Sequence, residues 1–528
     1  MYKYLERFIT FTEIDGFDEN QKFSSSLYPE YYTKYSLLEL CCYHGAVDCF
    51  KLLRTKFNSK ITKTCLKFSF LGGNADIMSE CLKNQTPDKE CMINAIISHN
   101  IDFVSFLMNE YNMEIDLLKC IKYNNLESFL VYFDQTNETN KCFIYSSMFN
   151  ISSLCDYFLS QGANVNEKTE KGKTALHFAA DKNSKESAEF LISHGVNINE
   201  KDEEGKTALH ITASHNSKET AELLISHGAN INEKDKFGQT TLHLAAWYNS
   251  KETAELLISH GANLNEKDKG GQTVLHYAAD QNNKDIAELL ISHGANINER
   301  DKKGKAALNI AAYKNSKETA ELLILHGANI NEKDDEGKTA LHLAVDQNNK
   351  ETTEILISHG ANINEKDEGG QTTLHLAALY DSKETAELLI LHGANLNEKD
   401  NDGQTALDCS ARHNSNEIAE LLISHGANIN KKDINGQTVL HHAAWYNSKE
   451  TAELLISNGA NINEKDNVGQ TALHYAAYSK GKETAELLIS HGININEKDK
   501  KGKTALQIAT DKNNKEMAEL LISHGAEK

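Results

Sequence analysis

The chain predicts an all-α repeat solenoid, and three observations carry that prediction. A glycine opening a Gly-(Lys/Gln)-(Thr/Ala) step recurs at Gly172, Gly205, Gly238, Gly271, Gly304, Gly337, Gly370, Gly403, Gly436, Gly469 and Gly502, every 33 residues and without an insertion. Each unit between these glycines carries two short apolar stripes at helical spacing, divided by turn residues. The whole is 528 residues long and 25% charged, with a mean hydropathy of -0.52, too long and too polar for one compact core. A fixed period of this length means stacked units, none of which buries its apolar face alone.

One unit, Asp235 to Lys267, shows the local physics. Asp235-x-x-Gly238 is turn chemistry suited to the tip of a projecting hairpin. Thr240 stands as an N-cap, its hydroxyl placed to accept an early helix N–H, and Leu242, Ala245 and Ala246 follow on one helical face. Asn249-Ser250 breaks this first helix and recaps a second. Glu252 lies in that helix's positive first turn, Ala254, Leu257 and Ile258 form its stripe, and Gly261 ends it. Small alanines let stacked helix pairs approach closely.

This pattern resembles the ankyrin repeat over all eleven units, residues 169–528. The matching residues are the Asp-x-x-Gly tip, Thr-x-Leu-His (Thr174 to His177, Thr207 to His210, Thr240 to His243 and onward), the alanine pair, and Leu-Leu-Ile-x-His-Gly-Ala-Asn. The resemblance implies helix-turn-helix units with short β-hairpin fingers, wound into a curved right-handed superhelix on the order of 110 Å long at ~10 Å per helix pair. One departure is systematic. The family usually places proline after the threonine, where this chain has Ala208, Thr241 or Val274, and its two prolines, Pro29 and Pro87, lie outside the array. Proline there presets a backbone angle, so its absence is expected to soften each unit without changing the fold.

Three segments precede the array. Residues 1–35, rich in aromatics (Tyr2, Tyr4, Phe8, Phe11, Phe17, Tyr28, Tyr31, Tyr32), read as a capping segment of one amphipathic helix and an extended stretch, or as a peptide ligand for another protein. Residues 36–135 are degenerate short repeats: Leu38 to Leu53 aligns without gaps on Leu242 to Leu257, placing Cys41 and Cys42 at the alanine pair. Leu66 to Cys81, Ile93 to Met108 and Leu118 to Phe133 fit the same frame, with turn residues Gly45, Gly73, Asn100 and Asn125 in register. Units this short keep both helices and lose most of the hairpin. Residues 136–168 form a transitional repeat ending in Gly162-Ala-Asn-Val-Asn. The N-terminal part resembles the uncharacterised ankyrin-like domain that precedes repeat arrays in some protist proteins.

Several functions are argued against. A formal charge of -21 opposes general affinity for nucleic acid or anionic membranes. Neither a signal peptide nor a membrane-spanning run is evident, so the cytosol is the expected address, with the nucleus an alternative. Nine of ten cysteines precede the array, none in a Cys-x-x-Cys pair, and read as reduced, buried, alanine-like residues rather than zinc ligands. A redox role for the Cys41-Cys42 pair stays open. Eight histidines occupy the Thr-x-Leu-His position, where the resemblance implies structural hydrogen bonds between neighbouring turns, and ten precede the helix-ending glycine, where a basic group meets helix carbonyls. His44, His99, His215, His413 and His442 remain. Gly-Lys-Thr at Gly172, Gly205, Gly337 and Gly502 lacks the earlier glycine of a phosphate loop; Glu167, Glu200, Glu332 and Glu497 stand there instead. No catalytic constellation, metal site or cofactor is implied.

Function is sought where the copies differ, because eleven units reveal which positions the scaffold leaves free. Variation concentrates in the two residues after the tip aspartate and the two after the alanine pair, positions that in ankyrin-like proteins line the fingers and the concave surface. There stand Phe237, Trp247, Tyr248, Tyr313, Tyr380, Arg412, His413, Trp445, Tyr446 and Tyr478, the candidate protein-binding residues. Both tryptophans of the chain are among them, each followed by tyrosine, and such rings often dominate interface energies. The competing reading has these rings pack on adjacent hairpins and seal the inner face. The expectation is a monomeric, non-enzymatic scaffold or adaptor for protein partners. A mechanical or membrane-protein-tethering array, or an enzyme hidden in residues 1–135, are the alternatives.

Overall fold

The computed structural model describes residues 2–14, 16–18, 21–26, 28 and 33–527. Tyr31 and Tyr32 of the capping segment, Pro29, and Lys528 at the end of the array lie outside them, as do the side chains of Tyr2 and Tyr4. The chain is an all-α repeat solenoid that divides into two units, Met1–Asn230 and Ile231–Lys528.

The first unit opens with the helix Tyr2–Thr12 and a short antiparallel pair, Lys22–Phe23 with Tyr35–Ser36. Glu13 reaches Lys56 at 3.6 Å and the Phe17 ring lies 5.2 Å from that of Phe57, so this segment rests on the first helix pair. Helix pairs follow: Leu37–Tyr43 with Val47–Lys56, Lys63–Leu71 with Ala75–Leu82, Lys89–Ile97 with Ile101–Tyr111, and Leu117–Lys122 with Leu126–Thr136. Their core is filled with Phe70, Phe103 and Phe129 and with Cys42, Cys65, Cys81, Cys91 and Cys120, where the regular array has alanine and leucine. Caps are local: Asn74, Asn100 and Asn125 each accept a backbone N–H of their own helix through Oδ1, at 3.1, 3.1 and 2.9 Å to Ile77, Phe103 and Ser128. Thr139–Ser146, a 3₁₀ turn and Ser152–Ser160 then lead into regular pairs at Ala175–Asp181 with Lys185–Ser193 and Ala208–His215 with Lys218–Ser226.

The second unit is nine successive helix pairs, from Thr241–Tyr248 with Lys251–Ser259 to Ala505–Asp511 with Lys515–Ser523. Each first helix buries its alanines, as at Ala245 and Ala246, and most second helices bury an alanine and a leucine, as at Ala254 and Leu257, with Thr353 in the alanine's place in Lys350–Ser358. The fingers are tight turns. The Asp235 N–H donates to the Gln239 carbonyl and Gly238 N–H to the Asp235 carbonyl, both at 3.0 Å. The Lys269 N–H donates to the Phe237 carbonyl at 2.9 Å, tying one finger to the next. Gly238 has φ +81°, and a Cβ there would lie 2.8 Å from the Lys269 nitrogen, so the tip glycine answers both to backbone angle and to the neighbouring finger.

Two capping expectations are corrected. The threonine hydroxyl before most first helices, as at Thr240, does not accept a helix N–H, whereas that of Thr504 accepts from the Gln507 N–H at 3.4 Å. Thr240 instead places its N–H and its hydroxyl on His243 Nδ1, at 3.1 and 2.8 Å, while His243 Nε2 reaches the Gln272 carbonyl of the following finger at 3.2 Å. An imidazole protonated on Nε2 satisfies all three contacts, accepting at one nitrogen and donating at the other. Nor does Ser250 or its counterparts cap the second helix by a side-chain hydroxyl. The left-handed asparagine of the preceding unit does: Asn282 Oδ1 accepts from Thr319 N–H at 3.2 Å and Asn282 Nδ2 donates to Glu318 at 2.6 Å, and Asn447 repeats this on Thr484 and Glu483. The helix that a unit's own serine leaves uncapped is capped by its neighbour.

Two further ladders run along the second unit. Asn263, Asn296, Asn329 and Asn362 each donate a backbone N–H to the asparagine Oδ1 of the preceding unit at 2.8–2.9 Å. Lysines 234, 267, 333 and 366 pair with glutamates one unit on at 2.7–2.9 Å. These pairs are solvent-exposed and individually weak.

The imidazole is replaced at two buried steps: Asn309 still accepts from the Ala306 N–H and donates to the Glu332 carbonyl, but at Asp408 the ladder fails. Asp408 stands where its neighbours have histidine; its Oδ2 accepts from the N–H and hydroxyl of Thr405 at 2.7 and 2.8 Å, but it cannot donate onward. The next unit answers with His442 in an otherwise mostly apolar position. Its Nε2 lies 3.4 Å from Asp433 Oδ2 and 4.0 Å from Asp408 Oδ1, all three side chains being at most 9% exposed. Burial raises the Asp408 carboxyl above its usual range. Burial also works to raise Asp433, but His442 and the Gln437 and Asn435 amides prevail and hold it below that range.

Three outcomes follow from this framework. Burial holds His177, His243, His276, His342, His375, His441 and His474 below the ordinary imidazole value of 6.5. They are neutral when folded and free to protonate when unfolded. Their share of stability is full above pH 6.5 and falls as pH drops below it, by about 1.4 kcal/mol per pH unit for each proton taken up on unfolding. Melting temperature measured between pH 7.5 and 5.5 should fall steeply, and His375→Asn should flatten the slope, because Asn309 already supplies the same acceptor to Ala306 N–H at 3.1 Å without titrating. Asp408→His or His442→Leu alone should cost about 3 kcal/mol or more by stranding a buried polar group, whereas the double variant should recover most of that loss in chemical denaturation. Thr241→Pro should stabilise by about 0.4–1 kcal/mol, since Thr240, at φ -90° and ψ 169°, already holds the backbone that precedes a proline.

Candidate functional site

The candidate residues all fall in the second unit, at the C-terminal ends of the first helices and on the finger tips, where the ladders leave side chains unused. Trp247, Tyr248, Tyr313, Tyr380, Trp445, Tyr446 and Tyr478 are each 37–51% exposed, and Phe237 at its tip is 58% exposed. Arg412 is half-buried and His413 exposed.

The structure gathers these residues into two groups. In the first, the Trp247 indole lies 5.8 Å from the Tyr277 ring, edge to face. The Tyr277 hydroxyl donates to Asp268 at 2.8 Å and accepts from Gln239 Nε2 at 2.7 Å. In the second, Trp445 meets Tyr475 in the same way at 5.8 Å, and Tyr475 repeats the pairing with Asp466 and Gln437 at 2.8 and 2.7 Å. Burial, then the tip aspartate, pushes both phenols up, so they stay protonated donors. Each indole therefore rests one edge on a fixed tyrosine and stays part-exposed, 42% at Trp247 and 37% at Trp445. Trp445 is also stacked on Tyr478 at 5.1 Å.

Tyr277 and Tyr475 were not singled out from the sequence. They stand one position after the ladder histidine, where other units hold residues such as Ile211, Leu244, Leu343 or Leu376. The signal was available: the unit after each tryptophan is the one with tyrosine there.

Cations border the second group. The Arg412 guanidinium lies over the Tyr446 ring at 5.6 Å and donates to Gln404 Oε1 at 3.2 Å. Lys512 lies 3.9 Å from the Tyr478 centroid, and its hydrogen bond holds that phenol below its ordinary range. Around the first group, charge is internally paired instead: Lys314 meets Asp280 at 3.1 Å. Tyr313 lies under Lys305 at 5.5 Å, and Tyr380, raised by burial and by the adjacent Asp346 carboxylate, belongs to neither aromatic group.

Among the described residues no cluster of three or more His, Cys, Asp and Glu side chains could hold a metal, and no helix is long and apolar enough to cross a membrane. All ten cysteines are free; nine are buried and Cys49 is half-buried. Burial pushes Cys41 up to about 12. Cys42 is hydrogen-bonded toward Cys65 and Cys81. The helix-ending histidines serve their own helices, as where His260 Nδ1 meets the Leu256 carbonyl at 2.9 Å. Gly-Lys-Thr is finger tip and helix entry, its threonine committed to the ladder histidine or, at Thr504, to Gln507.

Residues 57–132 match a family described as a domain of unknown function (DUF3447). Residues 143–235, 229–301, 299–367, 374–466 and 440–528 match the family described as ankyrin repeats (3 copies). No curated protein matches the chain. Ankyrin repeats generally mediate protein–protein interaction and are typically non-catalytic. With the repeat family matched over most of its length, and behind an N-terminal domain of uncharacterised type, the chain belongs to the ankyrin-repeat family.

Proposed function

We propose that this protein is a non-enzymatic, cytoplasmic scaffold that grips partner proteins along the first-helix ends and finger tips of its array. The observation that carries the reading is the half-exposed state of Trp247 and Trp445, 42% and 37%, each braced on one edge by a hydrogen-bonded tyrosine. A ring needed only for packing gains most when fully covered. A ring held in one orientation and still part-exposed loses little freedom when a partner covers it.

The position of these rings supports the same reading. Stacking depends on the histidine, asparagine and buried alanine positions, and the aromatics add nothing to those ladders. Trp247 meets Tyr277 by an edge, and Trp445 meets Tyr475 by an edge and Tyr478 by a face. Aromatic anchors of this kind commonly contribute 2 kcal/mol or more to an interface when fully covered.

Replacing Trp247, Tyr248, Trp445 and Tyr446 together with alanine should abolish recovery of a specific complex in affinity capture, by at least about tenfold, while melting temperature falls by only a few degrees. Undiminished capture with a large drop in melting temperature would assign the rings to packing and remove the basis for the proposal.

A further inference from the structure

We infer that the strip from Arg412 to Lys512 docks an extended acidic segment of a partner protein, in which apolar side chains alternate with carboxylates. The inference rests on the scaffold reading and gives one part of that surface a ligand chemistry.

Arg412 and Lys512 set two cations on this strip in a chain whose formal net charge is -21. Arg412 and Lys512 lie across the faces of Tyr446 and Tyr478, at 5.6 and 3.9 Å, and neither forms an ion pair among the described residues. A guanidinium whose polar contact is a neutral glutamine, Gln404, keeps most of its donors available. At the position equivalent to Lys512, Lys314 is instead paired with Asp280 at 3.1 Å.

The finger tips change in the same direction. At the middle of the array they carry Asp335, Glu336 and Glu368; beside the strip they carry the exposed Ile434 and Val468, 60% and 51%, and then Lys500 and Lys501. The lysine–glutamate ladder also breaks at one step here. Lys431 occupies a glutamate position, so Lys399 Nζ keeps the carbonyl contact its counterparts make, to Lys432 at 2.7 Å, but lacks their carboxylate, and Lys431 Nζ donates to the Asn397 carbonyl at 3.0 Å. Apolar rings and tips flanked by unpaired cations define a ligand with carboxylates set among apolar side chains. Arg412 and Lys512 are about three repeat steps apart, on the order of 30 Å at ~10 Å per step, a span that about nine residues of extended chain cover.

The test uses the full chain carrying Trp247→Phe, which leaves Trp445 as the sole indole. The probe is a peptide of about twelve residues alternating glutamate and leucine, compared with matched peptides having glutamine or lysine in place of glutamate, and with single-stranded oligo(dT). The glutamate peptide should change Trp445 emission saturably. Its binding should weaken as salt rises toward about 0.3 M, and by at least tenfold in Arg412→Gln/Lys512→Gln. The exposed single change Lys512→Glu, checked for an unaltered melting temperature, should weaken it in the same direction. Equal binding of the glutamine or lysine peptide, stronger binding of oligo(dT), or no effect of either variant would overturn the inference. The four-aromatic capture experiment separates its failure from that of the scaffold reading: a complex still lost there, with no response to the acidic peptide, leaves the scaffold and removes only the acidic ligand.

Discussion

The stacking depends on a neutral imidazole with two jobs. At His243 one ring nitrogen accepts from the N-terminus of its own helix and the other contacts a carbonyl of the next finger, so a single side chain fixes a helix entry and the repeat spacing together. Neither a protonated ring nor an aliphatic one can do both. The alanine pair sets how near two helix pairs can come, and the imidazole sets their register once they are there. The asparagine cap and the asparagine backbone ladder add to this only between units already placed.

Much of this was legible in the sequence because the chain contains its own comparison set. The fixed spacing, the turn at Asp235-x-x-Gly238 and the alanine pair all specify backbone, and backbone follows from residue type at short range. The caps depart from expectation because residue type at the cap position does not name the partner, and for the second helix that partner is not short-range. Thr240 and Ser250 occupy the positions where hydroxyls normally cap, yet the acceptors come from a histidine three residues on and from an asparagine of another unit. A local rule cannot distinguish an own-helix partner from one that arrives only when units stack.

The candidate site was legible in part for a related reason. Trp247 and Trp445 stand out as large residues at a variable position, and both are exposed in the fold. Their supports, Tyr277 and Tyr475, occupy a core-facing position where an aromatic looks like ordinary packing; only the pairing of tryptophan in one unit with tyrosine in the next marks them. Asp408 and His442 follow the same logic, one departure in a unit answered by another in its successor. Within an array, the informative comparison is between adjacent copies rather than within one.

The asparagine cap also gives the array a direction in time. The second helix of a unit is completed by a residue made earlier, as when Asn282 waits for Thr319, so a chain leaving the ribosome always presents the acceptor before the helix that needs it. Each new unit thus finds a finished template at its N-terminal side, and assembly from that end proceeds as addition to an existing edge rather than as a search. A segment lifted out of the middle would carry a first unit whose second helix has lost its cap.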